Sequence, residues 1–270
     1  MTLSLGASTL GLYTASLAFY WWFLYSNKRL IGRLATAGLG AGIVVHFQAL
    51  LDRARMVHTV PYDDLYGSML LLAWFLAVTY LGLEMWHRQR SVGPFVLPCA
   101  ILLLLVTWLG PQAAAAPPPA RGPLFALHVT ANILAYAAFS LSFVFSVIYL
   151  VQNRLLRHHR LGTVVWKFPA LDVLEGMSRS SVLVGIVSLT IGMSLGFLWV
   201  ERLEGSLKLG DAKVIVSFLI LALYVAYWWL SRDTAWRGAR ASVVSVANFL
   251  VVLFSYTVVN LFLTRYHRYF

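Results

Sequence analysis

Long apolar runs separated by short polar connections constrain this chain more than any other feature of its sequence. The run from residue 65 to residue 86, for example, contains a single charged residue, Glu84. A helix of about 20 apolar residues matches the ~30 Å hydrocarbon core of a bilayer. Because lipid offers no hydrogen-bond partner to a peptide group, such runs cross a membrane as helices.

The composition agrees with a chain surrounded largely by lipid. Of the 270 residues, 60% are apolar and 11% are charged, whereas soluble domains carry about 25% charged residues. The net charge of +11 comes from Lys and Arg in the connections, where they orient a membrane protein, so we expect no nucleic-acid partner. One cysteine, Cys99, excludes an intramolecular disulfide. No phosphate-binding glycine loop or hydrolytic motif favours an enzyme.

We predict an all-α, polytopic membrane helix bundle with eight transmembrane helices. The spans are approximately 6–26, 33–51, 65–86, 92–110, 123–151, 179–200, 212–231 and 241–264. Connections after odd-numbered spans hold 13 Lys and Arg, and the other side holds 8. The positive-inside rule then places both termini outside the cytoplasm. We expect one integral membrane domain, 1–270, with a four-helix half at 1–110 and a second half at 123–270.

Three further local predictions concern the side with more basic residues. Connection 152–178 begins with several Arg residues, and its apolar positions 171, 174 and 177 predict a short helix on the membrane interface. The basic edge of that helix favours anionic lipid headgroups. Glu84 and Arg88 are four residues apart, which predicts an ion pair along one helix. Tryptophans near span ends, such as Trp22 and Trp86, predict an aromatic belt.

Histidines near the other side are the candidate ligands. His128 opens span five, His267 follows span eight, and His46 lies in the outer half of span two. Neutral imidazole is an axial ligand for haem iron, and a bis-His site needs two of them on opposite faces of the macrocycle. The alternatives remain open: His128 and His267 also suit interfacial histidines, and His46 also suits a core histidine bonded to a neighbouring helix.

Cations near the same side are candidate partners for haem propionates. Arg and Lys pair well with carboxylates at headgroup level. The candidates in the sequence are Arg53, Arg55, Arg121, Lys213 and Arg265.

The second half of the sequence resembles the cytochrome c assembly superfamily, which includes CcsA- and CcmC-type proteins. Segment 125–136, with His128 and Tyr136, resembles the family's His-led helix. Segment 205–213 takes the place of its tryptophan-rich segment. The other matching positions are Asp211, Lys213, Trp236, Arg237, Gly238, Tyr256, Asn260 and His267.

The first half resembles the HemX/YpjD branch of the same superfamily. The matching features are His46, Trp74 and the segment 93–98. One departure stands in the tryptophan-rich region, 199–213, where Lys208 and Gly210 replace tryptophans. Aromatic stacking on a haem face is therefore missing. This disfavours a ligase activity in which the protein itself attaches haem to an apocytochrome.

The resemblance implies a non-enzymatic haem-binding protein of the bacterial cytoplasmic (inner) membrane, acting in cytochrome c maturation at its outer face. It implies haem b, held by His128 and His267, with His46, Asp211 and Lys213 nearby. It also implies a partner membrane protein of cytochrome c maturation. A regulator or scaffold of haem biosynthesis, acting through 152–178 on a biosynthetic enzyme, is the alternative. A b-type electron carrier is a third, for which only His87 is suitably placed on the inner side.

Overall fold

A computed structural model describes residues 2–58, 60–61, 65–109, 122–158, 168–204 and 210–255. These residues form eight α-helices, as the sequence predicted. They are α1 (Thr2–Ser26), α2 (Arg29–Val57), α3 (Leu65–His87), α4 (Gly93–Leu109), α5 (Gly122–Arg157), α6 (Leu171–Glu204), α7 (Ala212–Leu230) and α8 (Ala239–Phe254). Helices α2, α3, α5, α6 and α7 are long and apolar enough to cross a membrane, and α4 and α8 are shorter apolar helices.

Glycines on α2 and α4 let α1 pack closely between them. A methyl group added to Gly42 on α2 would lie 2.6 Å from the ring of Tyr13, and one added to Gly93 on α4 would lie 2.6 Å from the ring of Tyr20. Neither helix has room for a larger side chain at these points. Near the start of α2, a methyl group on Gly32 would lie 2.9 Å from the ring of Phe23, which is near the end of α1. Because Gly42, later in α2, meets the earlier Tyr13, the two helices run antiparallel.

Among the described helices, packed neighbours run in opposite directions, apart from α3 and α5. Helices α1, α3, α5 and α7 therefore end together, and α2, α4, α6 and α8 end at the opposite face of the bundle. We name the two faces after a histidine at each, the His87 end and the His128 end. His87 closes α3 and bonds through Nε2 to Ser180 Oγ on α6 at 2.9 Å.

A stripe of small residues along α6 lies against α5. The stripe consists of Ser178, Ser181, Gly185, Ser188, Gly192 and Gly196. Small residues at spacings of three and four let two membrane helices approach closely. A methyl group at Gly185 would collide with the ring of Phe139, and one at Gly192 would lie 2.5 Å from the side chain of Asn132. The stripe thus fixes the register of α5 against α6.

Helix α5 belongs to both buried clusters of apolar side chains. Its residues Leu141 and Phe145 pack in the cluster built mainly from α3 and α4, to which α1 and α2 also contribute. On another face, Phe139 packs in the cluster of α6, α7 and α8, where its ring stacks on Tyr224. The two sequence halves therefore meet along α5.

Buried hydroxyl groups join the four helices of the second half. Ser178 on α6 bonds to Ser142 Oγ on α5 at 2.8 Å and to Tyr227 Oη on α7 at 2.9 Å. Ser142 bonds in turn to Ser245 Oγ on α8 at 2.9 Å. Hydrogen bonds of this kind hold helices together where the apolar environment offers no competing water.

The prediction of a short interfacial helix at 171–177 was wrong. Leu171 begins α6, which continues without a break to Glu204. Leu174 and Met177 are buried in the core, because their apolar stripe continues into the face that α6 packs against the bundle. The connection between α5 and α6 is also shorter than the predicted loop 152–178, since residues up to Arg157 belong to α5. Residues 159–167 lie outside the described part of the chain.

The predicted ion pair between Glu84 and Arg88 is not formed. Arg88 follows the end of α3 and has a left-handed backbone, with φ of 53°, so it has left the helical spacing on which the prediction relied. Glu84 is 2% exposed and accepts hydrogen bonds from Tyr20 Oη at 2.5 Å and Tyr80 Oη at 2.8 Å. Arg90, two residues beyond Arg88, has its Nε 3.7 Å from this carboxylate.

Candidate functional site

His128 lies near the start of α5, with its ring against a glycine of α6. A methyl group added to Gly196 would lie 2.5 Å from its Nδ1, so the ring occupies the space that a side chain would need. Nδ1 lies 2.6 Å from the carbonyl oxygen of Gly192, one turn earlier on α6. The imidazole is therefore held by the backbone of a neighbouring helix.

The contact with Gly192 determines the tautomer of His128. A carbonyl oxygen accepts hydrogen bonds and donates none, so Nδ1 carries the proton. In the neutral ring Nε2 then has the lone pair. A ring nitrogen held by a backbone carbonyl, with the lone pair on the other nitrogen, is the usual arrangement of a histidine that binds a metal.

Asn132 and an aromatic pair complete the surroundings of His128. The amide nitrogen of Asn132, one turn along α5, is 3.3 Å from Nδ1 and 3.4 Å from Nε2 of His128. Phe125 lies with its ring centre 6.0 Å from the imidazole and 4.6 Å from the ring of Trp199 on α6. These rings form an apolar wall beside the histidine, which reduces access of water to that side.

Asp211 and Lys213, both predicted site residues, lie at the start of α7 at the same end of the bundle. Asp211 caps the helix, since its Oδ1 accepts the backbone N–H of Lys213 at 2.8 Å. The Lys213 ammonium donates to Ser255 Oγ on α8 at 3.2 Å and lies 5.9 Å from the ring centre of Tyr136 on α5. Lys213 thus places a cation between α5, α7 and α8.

His46 is fully buried in α2, as its position within a predicted span required. Its Nδ1 lies 3.1 Å from the hydroxyl of Tyr13 on α1. The backbone of Leu70 on α3 is close to the ring, yet among the described residues Nε2 has no hydrogen-bond partner of ordinary geometry. A buried imidazole nitrogen of this kind is uncommon, since buried polar groups are nearly always hydrogen-bonded.

The two arginines near the end of α2 differ sharply. Arg53 is buried, and its guanidinium lies 4.9 Å from the ring centre of Tyr66 on α3. Arg55 is at the surface, with its side chain 71% exposed and bonded to Asp52 at 3.1 Å. Of the remaining predicted site residues, His267, Arg121 and Arg265 lie outside the described part of the chain.

The structure adds four neighbours of His128 that the sequence interpretation missed: Phe125, Asn132, Gly192 and Gly196. Two of them were visible as helical neighbours, because Phe125 and Asn132 are three and four residues from His128. The spacing of Gly192 and Gly196 was also a usable signal, since two small residues four apart mark a close helix contact. Nothing in the sequence paired that contact with His128.

These side chains fit haem better than a metal ion bound by a cluster of ligands. Within the described residues, no three His, Cys, Asp or Glu side chains gather to hold a metal ion. A haem iron needs at most two protein ligands. The contact with Gly192 gives His128 the tautomer with its lone pair on Nε2, and Nε2 of His46 has no hydrogen-bond partner of ordinary geometry among the described residues. Lys213 and Arg53 are the described cations that suit carboxylates at this end.

Comparison with known proteins finds relatives along most of this chain. The chain is 27% identical to Protein HemX of Brevibacillus brevis over 92% of each chain, and 28% identical to Protein HemX of Bacillus subtilis over 93% of this chain and 92% of that protein. It is 27% identical to the cytochrome c biogenesis protein CcsA of Chlamydomonas reinhardtii, over 82% of this chain and 64% of that protein. Residues 62–267 match the family described as Cytochrome C assembly protein. Because this match covers most of the chain, the protein belongs to the cytochrome c assembly family.

Proposed function

We propose that this protein binds haem at the His128 end of its helix bundle and handles it during cytochrome c maturation, without catalysing a reaction. One observation carries the proposal, the hydrogen bond from Nδ1 of His128 to the Gly192 carbonyl oxygen. That bond orients the ring and leaves a lone pair on Nε2, as an axial ligand requires. Relatives named for cytochrome c biogenesis support the same role.

His267 is the proposed partner of His128 in a bis-His site. Its support is topological: α8 packs against α5 through Ser142 and Ser245, and α8 ends at the face where α5 begins. His267 follows the last residue of α8 in the sequence. His46 is the alternative partner or an assisting residue, because its Nε2 is buried without a hydrogen bond among the described residues.

The other side chains have separate proposed roles. Haem b, when bound, supplies the iron and two carboxylates. Lys213 and Arg53 pair with carboxylates, and Arg121, Arg55 and Asp211 are proposed as secondary contacts. Phe125 and Trp199 restrict water beside the imidazole, because their rings pack against each other at 4.6 Å.

A haem titration of the purified full chain tests this function. Wild type should develop the absorption spectrum of a six-coordinate low-spin haem, and His128→Ala should lose it. His87→Ala is the matched control, because it removes a histidine at the opposite end that bonds to Ser180. If His128→Ala keeps the wild-type spectrum and affinity, the ligand assignment is wrong.

We further propose that all eight helices cross the cytoplasmic membrane as one domain, with the His128 end outside. The excess of Lys and Arg at the His87 end supports this orientation. In a Cys99→Ser background, Arg55→Cys should react with a membrane-impermeant maleimide in intact cells. Arg237→Cys, at the other end, should react only after lysis, and the reverse pattern would invert the topology.

The alternative is a regulator or scaffold of haem biosynthesis that contacts a cytosolic enzyme. This alternative rests on the resemblance to the HemX branch, and proteins named HemX align along 92–93% of this chain. Arg154 and Arg157 in the last turn of α5 supply the basic contact. Recovery of a haem-pathway enzyme with the wild type, lost in Arg154→Gln/Arg157→Gln, would support this role over the first.

A further inference from the structure

Five basic residues gather at the His87 end of the first four helices. Lys28, Arg29 and Arg33 lie at the α1–α2 turn and the start of α2, and Arg88 and Arg90 lie in the α3–α4 turn. The two turns are in contact. Arg90 Nε donates to Thr36 Oγ1 on α2 at 2.9 Å, and a methyl group on Gly32 would lie 3.0 Å from Arg90 Cδ. We call these five residues the basic corner.

A single carboxylate is paired with the basic corner among the described residues. It is Glu84, whose carboxylate is 3.7 Å from Arg90 Nε. Glu84 is buried and already accepts bonds from Tyr20 and Tyr80, and from Thr36 at 2.5 Å. Glu84 therefore balances and positions Arg90. No described carboxylate pairs with the other four cations, which leaves the corner with a large positive excess.

The positive charges at the start of α2 repel one another and interact unfavourably with the helix dipole. Arg29 and Arg33 are four residues apart on one helix, a spacing at which like charges repel. Both lie at the N-terminal, positive end of the helix dipole, where cations are unfavourable. Lys28 at the N-cap provides no side-chain hydrogen bond, and the first turn has no acidic residue. An anion placed between these side chains would attract each cation and so offset the repulsion between them.

Exposed aromatic rings border the basic corner. Trp22 is 56% exposed and Tyr25 is 62% exposed, both in the last turns of α1. Trp86, 81% exposed, lies two residues before Arg88. Tryptophan and tyrosine on lipid-facing helices mark the level of the headgroups. A soluble phosphate would gain no contact energy from these rings. A phospholipid presents a phosphate to the cations and an apolar glycerol and acyl region to the rings.

We propose that the basic corner binds the phosphate of an anionic phospholipid, with Arg29 and Arg33 contacting the headgroup. Glu84 and Thr36 hold Arg90 at the base of the site. Trp22 and Trp86 lie beside the glycerol and upper acyl region. The site is separate from the haem proposal, since it occupies the opposite end of the bundle.

Lipid retention by the full chain tests this site. The protein is placed in nanodiscs of phosphatidylcholine with 20% phosphatidylglycerol, extracted, and its bound lipid counted by native mass spectrometry. Arg29→Gln/Arg33→Gln should lower phosphatidylglycerol retention on the order of tenfold, from the usual attraction of two cations for an anionic headgroup. The matched control is Arg232→Gln/Arg240→Gln, a pair of exposed arginines at the same end of the bundle, in the α7–α8 turn and the first turn of α8. That control should retain the lipid as wild type does.

A second measurement separates loss of a site from loss of folding. In nanodiscs of phosphatidylcholine alone, Arg29→Gln/Arg33→Gln should melt at or above the wild-type temperature, because the repulsion at the start of α2 is removed. Addition of phosphatidylglycerol should raise the melting temperature of wild type and not that of the variant. Equal lipid loss in both double variants, or no loss in either, overturns the proposal. The proposal is also overturned if inorganic phosphate, in lipid-free detergent, raises the wild-type melting temperature as much as phosphatidylglycerol does.

Discussion

His128 on α5 donates a hydrogen bond from Nδ1 to the carbonyl oxygen of Gly192 on α6, with 2.6 Å between the two atoms. This bond is possible because α6 presents glycines to the ring. A side chain at Gly196 would begin 2.5 Å from the same nitrogen. The orientation of the proposed ligand therefore depends on glycines of a neighbouring helix, which have no side chain to bind iron, and this makes the contact testable.

Gly196→Ala should impair haem binding without removing any ligand. The added methyl group forces the His128 ring to move and breaks its bond to Gly192, so the low-spin absorption should weaken or shift. Gly40→Ala is the matched control, since a methyl group there meets nothing within 4 Å. Alanine is favoured over glycine in a helix by up to about 1 kcal/mol, so the control should keep wild-type stability. Identical spectra for both variants would show that Gly196 does not influence the haem site.

Lys213→Gln should weaken haem binding while leaving the spectrum of the bound form unchanged. Lys213 is proposed to pair with a carboxylate and not with the iron, and charge-assisted hydrogen bonds contribute about 1.5–3 kcal/mol. We expect an affinity loss on the order of tenfold. Ser255→Ala, which removes the hydroxyl partner of the ammonium at 3.2 Å but keeps the cation, should bind nearly as wild type. A changed spectrum in Lys213→Gln would indicate a different role.

Glu84→Gln should destabilise the first half of the protein by about 2–4 kcal/mol. The carboxylate accepts from Tyr20, Tyr80 and Thr36, and an amide turns one acceptor into a donor that faces donors. Each buried donor left unsatisfied costs about 1–3 kcal/mol, and the weakened pair with Arg90, which is 36% exposed, adds less. Unfolding in mixed micelles measures the loss, with the exposed Glu201→Gln as control. Equal stability of the two variants would contradict the network.

Ser178→Ala should lower stability by about 1–2 kcal/mol, because its hydroxyl bonds to both Ser142 and Tyr227. Single hydrogen bonds between membrane helices average about 0.6 kcal/mol. Ser194→Ala removes an exposed hydroxyl of the same helix. In the described structure this hydroxyl donates to the backbone carbonyl oxygen of Thr190, one turn earlier. That control should change stability by a few tenths of a kcal/mol at most. The same unfolding measurement compares the two variants. A larger loss of stability in Ser194→Ala than in Ser178→Ala would contradict the prediction.

Element boundaries show where local reasoning from the sequence succeeds and where it stops. The predicted span 65–86 is α3, Leu65–His87, and 212–231 is α7, Ala212–Leu230, because hydropathy is a property of each segment alone. The start of α6 was misplaced. Residues 171–177 looked amphipathic enough for an interface, yet Leu174 is buried in the core because neighbouring helices cover it.

Charged residues show the same limit. Glu84 and Arg88 had the spacing of a helical ion pair, but the left-handed turn at Arg88 ends the helix before that spacing applies. The real partners, Tyr20 and Thr36, come from α1 and α2. Arg53 and Arg55 were equivalent candidates in the sequence, and only packing separates the buried one from the exposed one.

The sequence by itself determined that this chain is a helical membrane protein of the cytochrome c assembly family, because the length and apolarity of each run and the order of its motifs belong to the chain. The tertiary structure decided which side chains meet. Gly192 and Gly196 reach His128 across 64 and 68 positions of sequence. A contact of that kind depends on how closely two helices approach and in what register, and no local pattern contains that information.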